Sequence, residues 1–422
     1  MIKFLLKGII RDHHRSLFPV MIVAIGVTIT VVLHSWITGV FGDIVEFSSK
    51  FNTGHVRVIT KGYADNLNQM PNDFALEDVE TNIKNLQILF PEMTWAKRIK
   101  FGGLIDIADE FGETKVQGPA VGMAIDMLSK DSKELERLNI PKSLKRGSLP
   151  KNPGELLLSD QFAKKLSISP GETVTIITST MYGSMAIENF ILAGTVEFGS
   201  AAMDNGAVIV DIADAQIMLN MEDATGELLG YFPKNYDAEK ALQTKVVFNK
   251  KYFIKDDDFS PVMMTIHDDG FLGEYIQMGE SMVGTVTVVF LLIMSIVLWN
   301  SGLLGALRRY GEVGVRLAIG EAKNHIYFAM IMESIMIGVI GSIVGTGIGL
   351  IFAFWLEQGI DIGAMMKNST MMMPSVFRGQ ITTETYYIGF LPGILSTVLG
   401  TLLSGIGIYK RQTAELFKEL EA

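Results

Sequence analysis

The residues best suited to chemistry in this chain are few, and none of them falls into a catalytic pattern. Asp256-Asp257-Asp258 and His267-Asp268-Asp269 could bind a cation, but neither has the glycine turn and distal glutamate of a calcium loop, so a solvated acidic loop is the simpler reading of both. The histidines are scattered, and only His13 and His14 adjoin, inside a basic segment, so no metal site is expected. Met365, Met366 and Met371 to Met373 offer soft thioethers that could pass copper, although such a patch more often makes adaptable apolar contacts. There is no Gly-x-Ser-x-Gly elbow, no His-Glu-x-x-His and no Gly-x-x-x-x-Gly-Lys-Ser/Thr phosphate loop. The absence of cysteine removes disulfides, thiolate metal sites and thiol nucleophiles. No cofactor is expected on this chain, and any ATP and magnesium must sit on a partner subunit.

The elements carrying these residues are set by hydrophobicity. Of 422 residues 48% are hydrophobic and 19% charged, against roughly 25% charged in soluble domains. Four apolar runs stand out: Leu17 to Val40, Val283 to Leu304, Ile326 to Leu356 and Tyr386 to Ile408. About 20 residues of helix cross the ~30 Å hydrocarbon core, so each run is long enough to span a membrane. A cleaved signal peptide would have an apolar core of about 7–15 residues followed by small residues. The first run is longer, and Ser35-Trp36-Ile37-Thr38 is a poor cleavage site, which makes it an uncleaved anchor. His34 and Glu333 are polar exceptions within the spans. Glycines punctuate the last two runs, among them Gly338, Gly341, Gly345, Gly347, Gly349, Gly389 and Gly393, and read as helix–helix contacts in lipid.

Lys3, Lys7, Arg11 and Arg15 precede the first run, Arg308, Arg309, Arg316 and Lys323 lie between the second and third, and Lys410, Arg411 and Lys418 follow the fourth. The positive-inside rule places all three groups, and both termini, in the cytoplasm of a cell's inner membrane. The expected division is 1–16 as an amphipathic elbow, 17–40 as the first span and 41–282 as a large outer domain. After it come spans at 283–304, 326–356 and 386–408, a cytoplasmic segment at 305–325, an outer loop at 357–385 and a tail at 409–422. Asp43 to Glu280 carries 36 acidic and 23 basic side chains, a net of about −13 out of −10 for the whole chain. That excess excludes the basic face a nucleic-acid binder needs. Within it, Gly54 to Thr60 alternates like a half-buried strand, Leu76 to Phe90 has helical spacing, and Glu155 to Leu158, Thr173 to Thr178 and Ala207 to Val210 read as strands. Short helices follow at Ser159 to Leu166 and from Asp211 to Leu219. The fold class is therefore a membrane protein of four transmembrane helices, one plus three, with a large α+β domain between the first and second.

Arg308-Arg309-Tyr310-Gly311-Glu312-Val313-Gly314-Val315-Arg316-Leu317-Ala318-Ile319-Gly320 is the most informative segment. It resembles the Arg-x-x-Glu-Ile-Gly-x-x-x-Ala-x-Gly signature of the FtsX-like/MacB-type permeases, the membrane subunits of type VII ABC transporters. Arg309, Glu312, Gly314, Arg316, Ala318 and Gly320 fit it directly. Gly154-Glu155-Leu156 through Gly171-Glu172-Thr173-Val174, and Asp204 to Gln216, are similar to segments of that family's outer domain. The tail departs from the family in lacking its proline. No fused ATPase domain of the MacB kind is expected, which makes the layout resemble the lipoprotein-releasing LolC/LolE branch. The stretch Ser179 to Asn189 is short for a loop that would engage a carrier protein. The resemblance implies two permeases, identical or different, above two ATPase subunits, with residues 308–320 as the coupling helix and Met1 to Arg11 as an elbow at the interface. It implies a stalk over Phe41 to Phe51 and Gly270 to Met282, including Phe47, Phe51, Tyr275 and Met278, that carries motion outward. The cargo implied is a lipid or lipoprotein, with peptide or toxin efflux second and activation of an envelope partner without transport third.

Overall fold

The computed structural model of the chain describes residues 13–198, 201–307, 310–361 and 376–410. The elbow over Met1 to Arg11 and the methionines of the outer loop lie outside them. In chain order the main helices are α1 (His13–Ser48), α2 (Val79–Leu89), α3 (Asp160–Lys165), α4 (Ile212–Met218), α5 (Ala238–Tyr252), α6 (Gly270–Leu307), α7 (Tyr310–Ala318), α8 (Lys323–Leu356) and α9 (Phe390–Lys410). The strands are β1 (Val56–Thr60), β2 (Thr94–Ala108), β3 (Thr114–Ile125), β4 (Leu144–Gly147) and β5 (Glu155–Ser159), then β6 (Thr173–Ser179), β7 (Met185–Val196), β8 (Ala207–Asp211), β9 (Glu227–Tyr231) and β10 (Pro261–Thr265). The described residues form two compact units, 13–43 with 278–361 and 376–410, and 44–277.

Four helical stretches are long and apolar enough to cross a membrane: Leu17–Thr53, Leu272–Asn300, Lys323–Leu356 and Glu384–Ile406. The α+β domain lies between the first and the second. Helices α1 and α6 outrun their apolar runs, because hydropathy marks only a lipid-facing stretch while helix continues through Asp43, Glu46 and Glu274. In the fourth stretch the continuous α-helix starts at Phe390, after a separate turn over Glu384–Tyr386. Pro392 sits in its first turn, where a missing N–H costs nothing.

Within the span unit, α8 packs along α1 through a stripe of glycines. A Cβ at Gly341 would meet Val23 at 2.7 Å, one at Gly345 the Ala24 carbonyl at 2.5 Å, and one at Gly349 Val31 at 2.8 Å. The spacing of four puts all three on one helix face, and their missing side chains let the backbones close to a distance at which Thr28 Oγ1 donates to the Gly345 carbonyl at 3.0 Å. Gly338 meets α9 near Thr397 instead, while Gly347 faces open space, so it is not a helix contact in this chain.

The α+β unit is organised by β2, whose 15 residues serve two sheets. Its first part, Thr94 to Arg98, pairs antiparallel with β9, in the order β10-β1-β9-β2. Its second part pairs with β3 and β6, and the ladders β2-β3-β8-β5-β7-β6 return to β2, closing a six-strand ring. Ile99, Phe101, Ile105, Leu156, Leu158, Val174 and Phe190 fill the core of that ring against Phe162 of α3 and Met218 of α4. Side chains of this size stabilise by about 1.5–3 kcal/mol each when fully buried. A second core joins Val56, Val58, Leu228 and Met263 to Val79 and Leu86 of α2 and Phe248 of α5. The half-buried strand expected at Gly54 to Thr60 is instead buried at every position of β1, because β1 runs between β9 and β10 and its Arg57 is held in ion pairs. Helices α3 and α4 start as the sequence suggests: the Ser159 side chain accepts from the Phe162 N–H, and the Asp211 carboxylate from the Ala213 N–H.

The two glycine environments give a direct test. Gly345→Ala, which forces a methyl group onto a backbone carbonyl, is expected to lower the unfolding temperature of the detergent-solubilised chain by several degrees, whereas Gly347→Ala should leave it unchanged or raise it slightly. Equal effects of the two would contradict the packing of α8 on α1.

Candidate coupling site

Helix α7 is short and amphipathic. Val313 is buried against Ile326 and Met330 at the start of α8, and Leu317, one turn on, packs on the same cluster. Val315, Arg316, Ala318 and Ile319 are exposed, Ile319 at 81%. Glu312 is half-buried and Gly314 buried. Gly320 ends the helix at φ +100°, a conformation that side-chain-bearing residues avoid. Its N–H donates to the Leu317 carbonyl at 3.1 Å, and the Glu321 N–H reaches the Arg316 carbonyl at 3.1 Å. These two bonds are a Schellman closure, and they give the terminal glycine of the segment its physical reason. Arg308 and Arg309 lie outside the described residues.

Of the polar residues expected within the spans, His34 is buried on α1 with Nε2 3.9 Å from the Glu384 carboxylate, and Glu333 is half-buried on α8. Of the four residues expected in a stalk, Phe47 and Phe51 stack with ring centroids 5.2 Å apart, and Phe51 meets Phe198 edge-on at 6.2 Å. Both belong to a core with Met123, Ile125 and Ile209. Tyr275 and Met278 are exposed, Met278 at 65%.

Sequence reasoning missed a network of buried charges in the α+β unit that holds the ends of both long helices. Helix α1 passes into a π-turn over Ser49–Thr53, after which Gly54 turns the chain at φ +66° into β1. The last carbonyls of such a helix have no partner of their own and carry the negative end of its dipole. Here cations from one face of β2 take them. Arg98, 0% exposed, donates to the carbonyls of Lys50 at 3.1 Å and Phe51 at 2.7 Å, and Lys100 donates to that of Asn52 at 3.0 Å. The Tyr231 hydroxyl adds a bond to the Lys50 carbonyl at 3.3 Å.

Buried cations need counter-charges. Arg98 has Glu134 at 2.6 Å, itself held by Arg137, whose guanidinium lies 3.7 Å over the Tyr231 ring. Lys100 has Glu227 at 3.1 Å. Glu227 is also 3.8 Å from Arg57, and Arg57 donates to Asp269 at 2.8 Å. Asp269 is the residue before α6 and accepts from the Leu272 N–H at 3.3 Å. An unbroken series thus runs from the Asn52 carbonyl through Lys100, Glu227 and Arg57 to Asp269 at the start of the second long helix. Its neighbour Asp268 accepts from the Thr265 N–H and hydroxyl, both at 2.8 Å, and from Lys245 at 2.6 Å. Asp268 and Asp269 are therefore not a solvated loop. Burial pulls the pKa of Lys100 down, with Arg57 and Arg98 pushing the same way and Glu227 opposing. Burial also raises the Tyr231 hydroxyl to about 12.

On the first-helix side, the Glu46 carboxylate accepts from the Tyr236 N–H at 2.6 Å and pairs with Lys50 at 2.9 Å and His55 at 3.2 Å. His55 Nδ1 accepts from the Phe232 N–H at 3.0 Å, which leaves its proton on Nε2, facing Glu46. Among the described residues no group of three or more His, Asp and Glu could hold a metal. The arrangement serves anchorage, with no group poised for covalent chemistry. Its one sequence signal is subtle: Gly226-Glu227-Leu228-Leu229 repeats the Gly154-Glu155-Leu156-Leu157 that opens β5.

Residues 16–243 match the family model of the MacB-like periplasmic core domain, and residues 284–413 that of the FtsX-like permease C-terminal region. The lipoprotein-releasing system transmembrane protein LolC of Xylella fastidiosa strain Temecula1 is 22% identical over 261 residues, 60% of this chain and 59% of that protein. The chain thus spans less than two thirds of that relative's length. The macrolide export ATP-binding/permease protein MacB of Haemophilus ducreyi is 31% identical over 71 residues, 17% of this chain and 10% of that one. Among solved structures, the periplasmic region of MacB from Actinobacillus actinomycetemcomitans aligns with a TM-score of 0.36 and 11% identity, over 56% of this chain and 97% of that one.

If the charge series holds the helix ends, Glu227→Leu, which strands Lys100 and Arg57 beside each other, should cost about 3–5 kcal/mol of stability in urea unfolding of the full chain. Adding Lys100→Met should return about 1–3 kcal/mol of that loss. Simple additivity of the two substitutions would show that the residues do not act together.

Proposed function

The chain belongs to the MacB/LolC family of ABC transporter permeases, and from that premise we propose that it converts ATP hydrolysis by a separate subunit into movement of its α+β domain that releases lipoproteins from the membrane. The observation that carries this reading is the pairing of two devices in one chain. Helix α7 offers an exposed face of Val315, Arg316 and Ile319, and the α+β unit grips the ends of both helices that enter it. Two ATPase subunits dock at α7, with Glu312 and Arg316 fixing the register, since paired charges set orientation as much as affinity. The chain then lies in the inner membrane with α7 and both termini in the cytoplasm and the α+β domain outside, and works beside a second permease.

Lipoprotein is preferred as cargo because the LolC relative aligns over 60% of the chain and the MacB relative over 17%. The match of residues 16–243 to the MacB-like core domain favours a second reading, export of an amphiphilic compound.

The test is co-purification from the native host in detergent, followed by reconstitution with the ATPase that accompanies the chain. Arg316→Glu or Glu312→Lys is expected to weaken the association, or the permease-dependent ATPase rate, by about tenfold, the effect of roughly 1.4 kcal/mol. Full coupling in both variants would remove α7 from the mechanism. In proteoliposomes, ATP-dependent release of a triacylated lipoprotein is expected; movement of a macrolide without lipoprotein release would make the chain an exporter.

A further inference from the structure

The α+β unit contains a cavity of about 680 Å³ lined from both of its sheets. The volume lies within the roughly 300–1,000 Å³ of small-molecule sites. Val121, Met123 and Ile209 of the closed ring contribute apolar lining, as do Met264 of β10 and, from the segment after β1, Leu67 and Met70. Val121 remains 54% exposed, so apolar surface of the ring is left open to whatever fills the cavity. With Met203, four methionines line the space. Their unbranched, polarisable side chains adapt to apolar bodies of different shape.

The charged part of the lining decides which class of molecule fits. It holds four carboxylates, and each already has a cation: Asp65 pairs with Lys61 at 3.3 Å, Glu227 with Lys100 at 3.1 Å, Asp268 with Lys245 at 2.6 Å and Asp269 with Arg57 at 2.8 Å. Four carboxylates against four cations leave no counter-charge waiting for a ligand of either sign. A charged group brought into such a site gives up its hydration and finds no unpaired partner to replace it. An uncharged apolar body has no such hydration to lose, and it removes the open surface of Val121 and the methionines from water.

We propose that this cavity is a binding site for a small uncharged apolar molecule, which it takes in preference to an ionised amphiphile with the same body. Seated against Val121 and Met123 on one side of the charged seam and Met264 on the other, the ligand ties the closed ring to the open sheet. This goes beyond the proposed function: it requires neither the ATPase nor a cargo assay, and a failed co-purification leaves it standing.

The test uses the full chain in lipid nanodiscs and photolabelling with dodecanol bearing a diazirine at the far end of its chain. Dodecylamine and dodecanoic acid with the same diazirine serve as the charged counterparts, and labelled peptides are located by mass spectrometry. Peptides carrying Met70, Met123 and Met264 should be labelled about tenfold more by the alcohol than by either charged probe, and excess unlabelled dodecanol should remove that label. Val121→Trp and, independently, Leu67→Trp fill the space and should abolish it, while labelling of α8 by the same probe stays intact. Labelling by the amine or the acid that equals or exceeds that by the alcohol would overturn the proposal. So would failure of competition in the unaltered protein, or persistence of the label in both tryptophan variants.

Discussion

The structure turns on how the α+β domain receives a helix that arrives with unpaired carbonyls. A helix end buried in protein must find donors, and neutral donors are scarce where the strands are apolar. This chain supplies two cations from alternate residues of β2, Arg98 and Lys100, which the strand's two-residue period puts on the same face. The choice has a consequence. Two buried positive charges demand buried negative ones, and Glu134 and Glu227 provide them. Each added charge needs its own hydrogen bonds, which is why Tyr231, Arg137 and Arg57 are drawn in. Anchoring one helix therefore organises the centre of the domain.

The location is not arbitrary. Arg98 is the last residue of β2 to pair with β9, opposite Glu227, and from Ile99 onward β2 belongs to the closed ring. The charges occupy the seam where one strand passes between two sheets. Because Glu227 also faces Arg57, and Arg57 holds Asp269, the carboxylate that stabilises the end of α1 is coupled to the residue that caps α6. Displacement of either helix end is felt by the same buried group. For a permease driven as proposed above, such a seam is a natural place to receive motion.

How far the sequence reveals this depends on the range of the interaction. The spans are legible because some 20 uncharged residues have one physical meaning in a bilayer, and the glycine stripe of α8 because only close packing repays its cost. Strands β5 and β8 are legible as short apolar runs, β6 by its alternation, and the starts of α3 and α4 because capping is local. Gly320 is legible only as part of a family signature; that it ends a helix, and that Val313 packs on Ile326 of the next helix, show only in the fold. The long hairpin of β2 and β3 was not evident, since Lys97, Arg98 and Lys100 interrupt its apolar pattern. The charge series was invisible for the same reason: Lys100 meets Glu227 across 127 residues and Arg57 meets Asp269 across 212. Read locally, Asp268 and Asp269 look like a solvated acidic loop, and Arg57 like the polar side of a half-buried strand. Charge becomes structural only when the fold brings its partner.

The most direct test of this account is the distance between the two helix ends. The chain has no cysteine, so spin labels can be placed at Asn52→Cys and Glu274→Cys alone, both exposed positions within the α+β unit. Double electron–electron resonance should give one narrow distance distribution in the otherwise unaltered chain, and a clearly broadened or shifted one when Glu227→Leu is added. An identical narrow distribution in both would mean that the helix ends are held by something other than the buried charges.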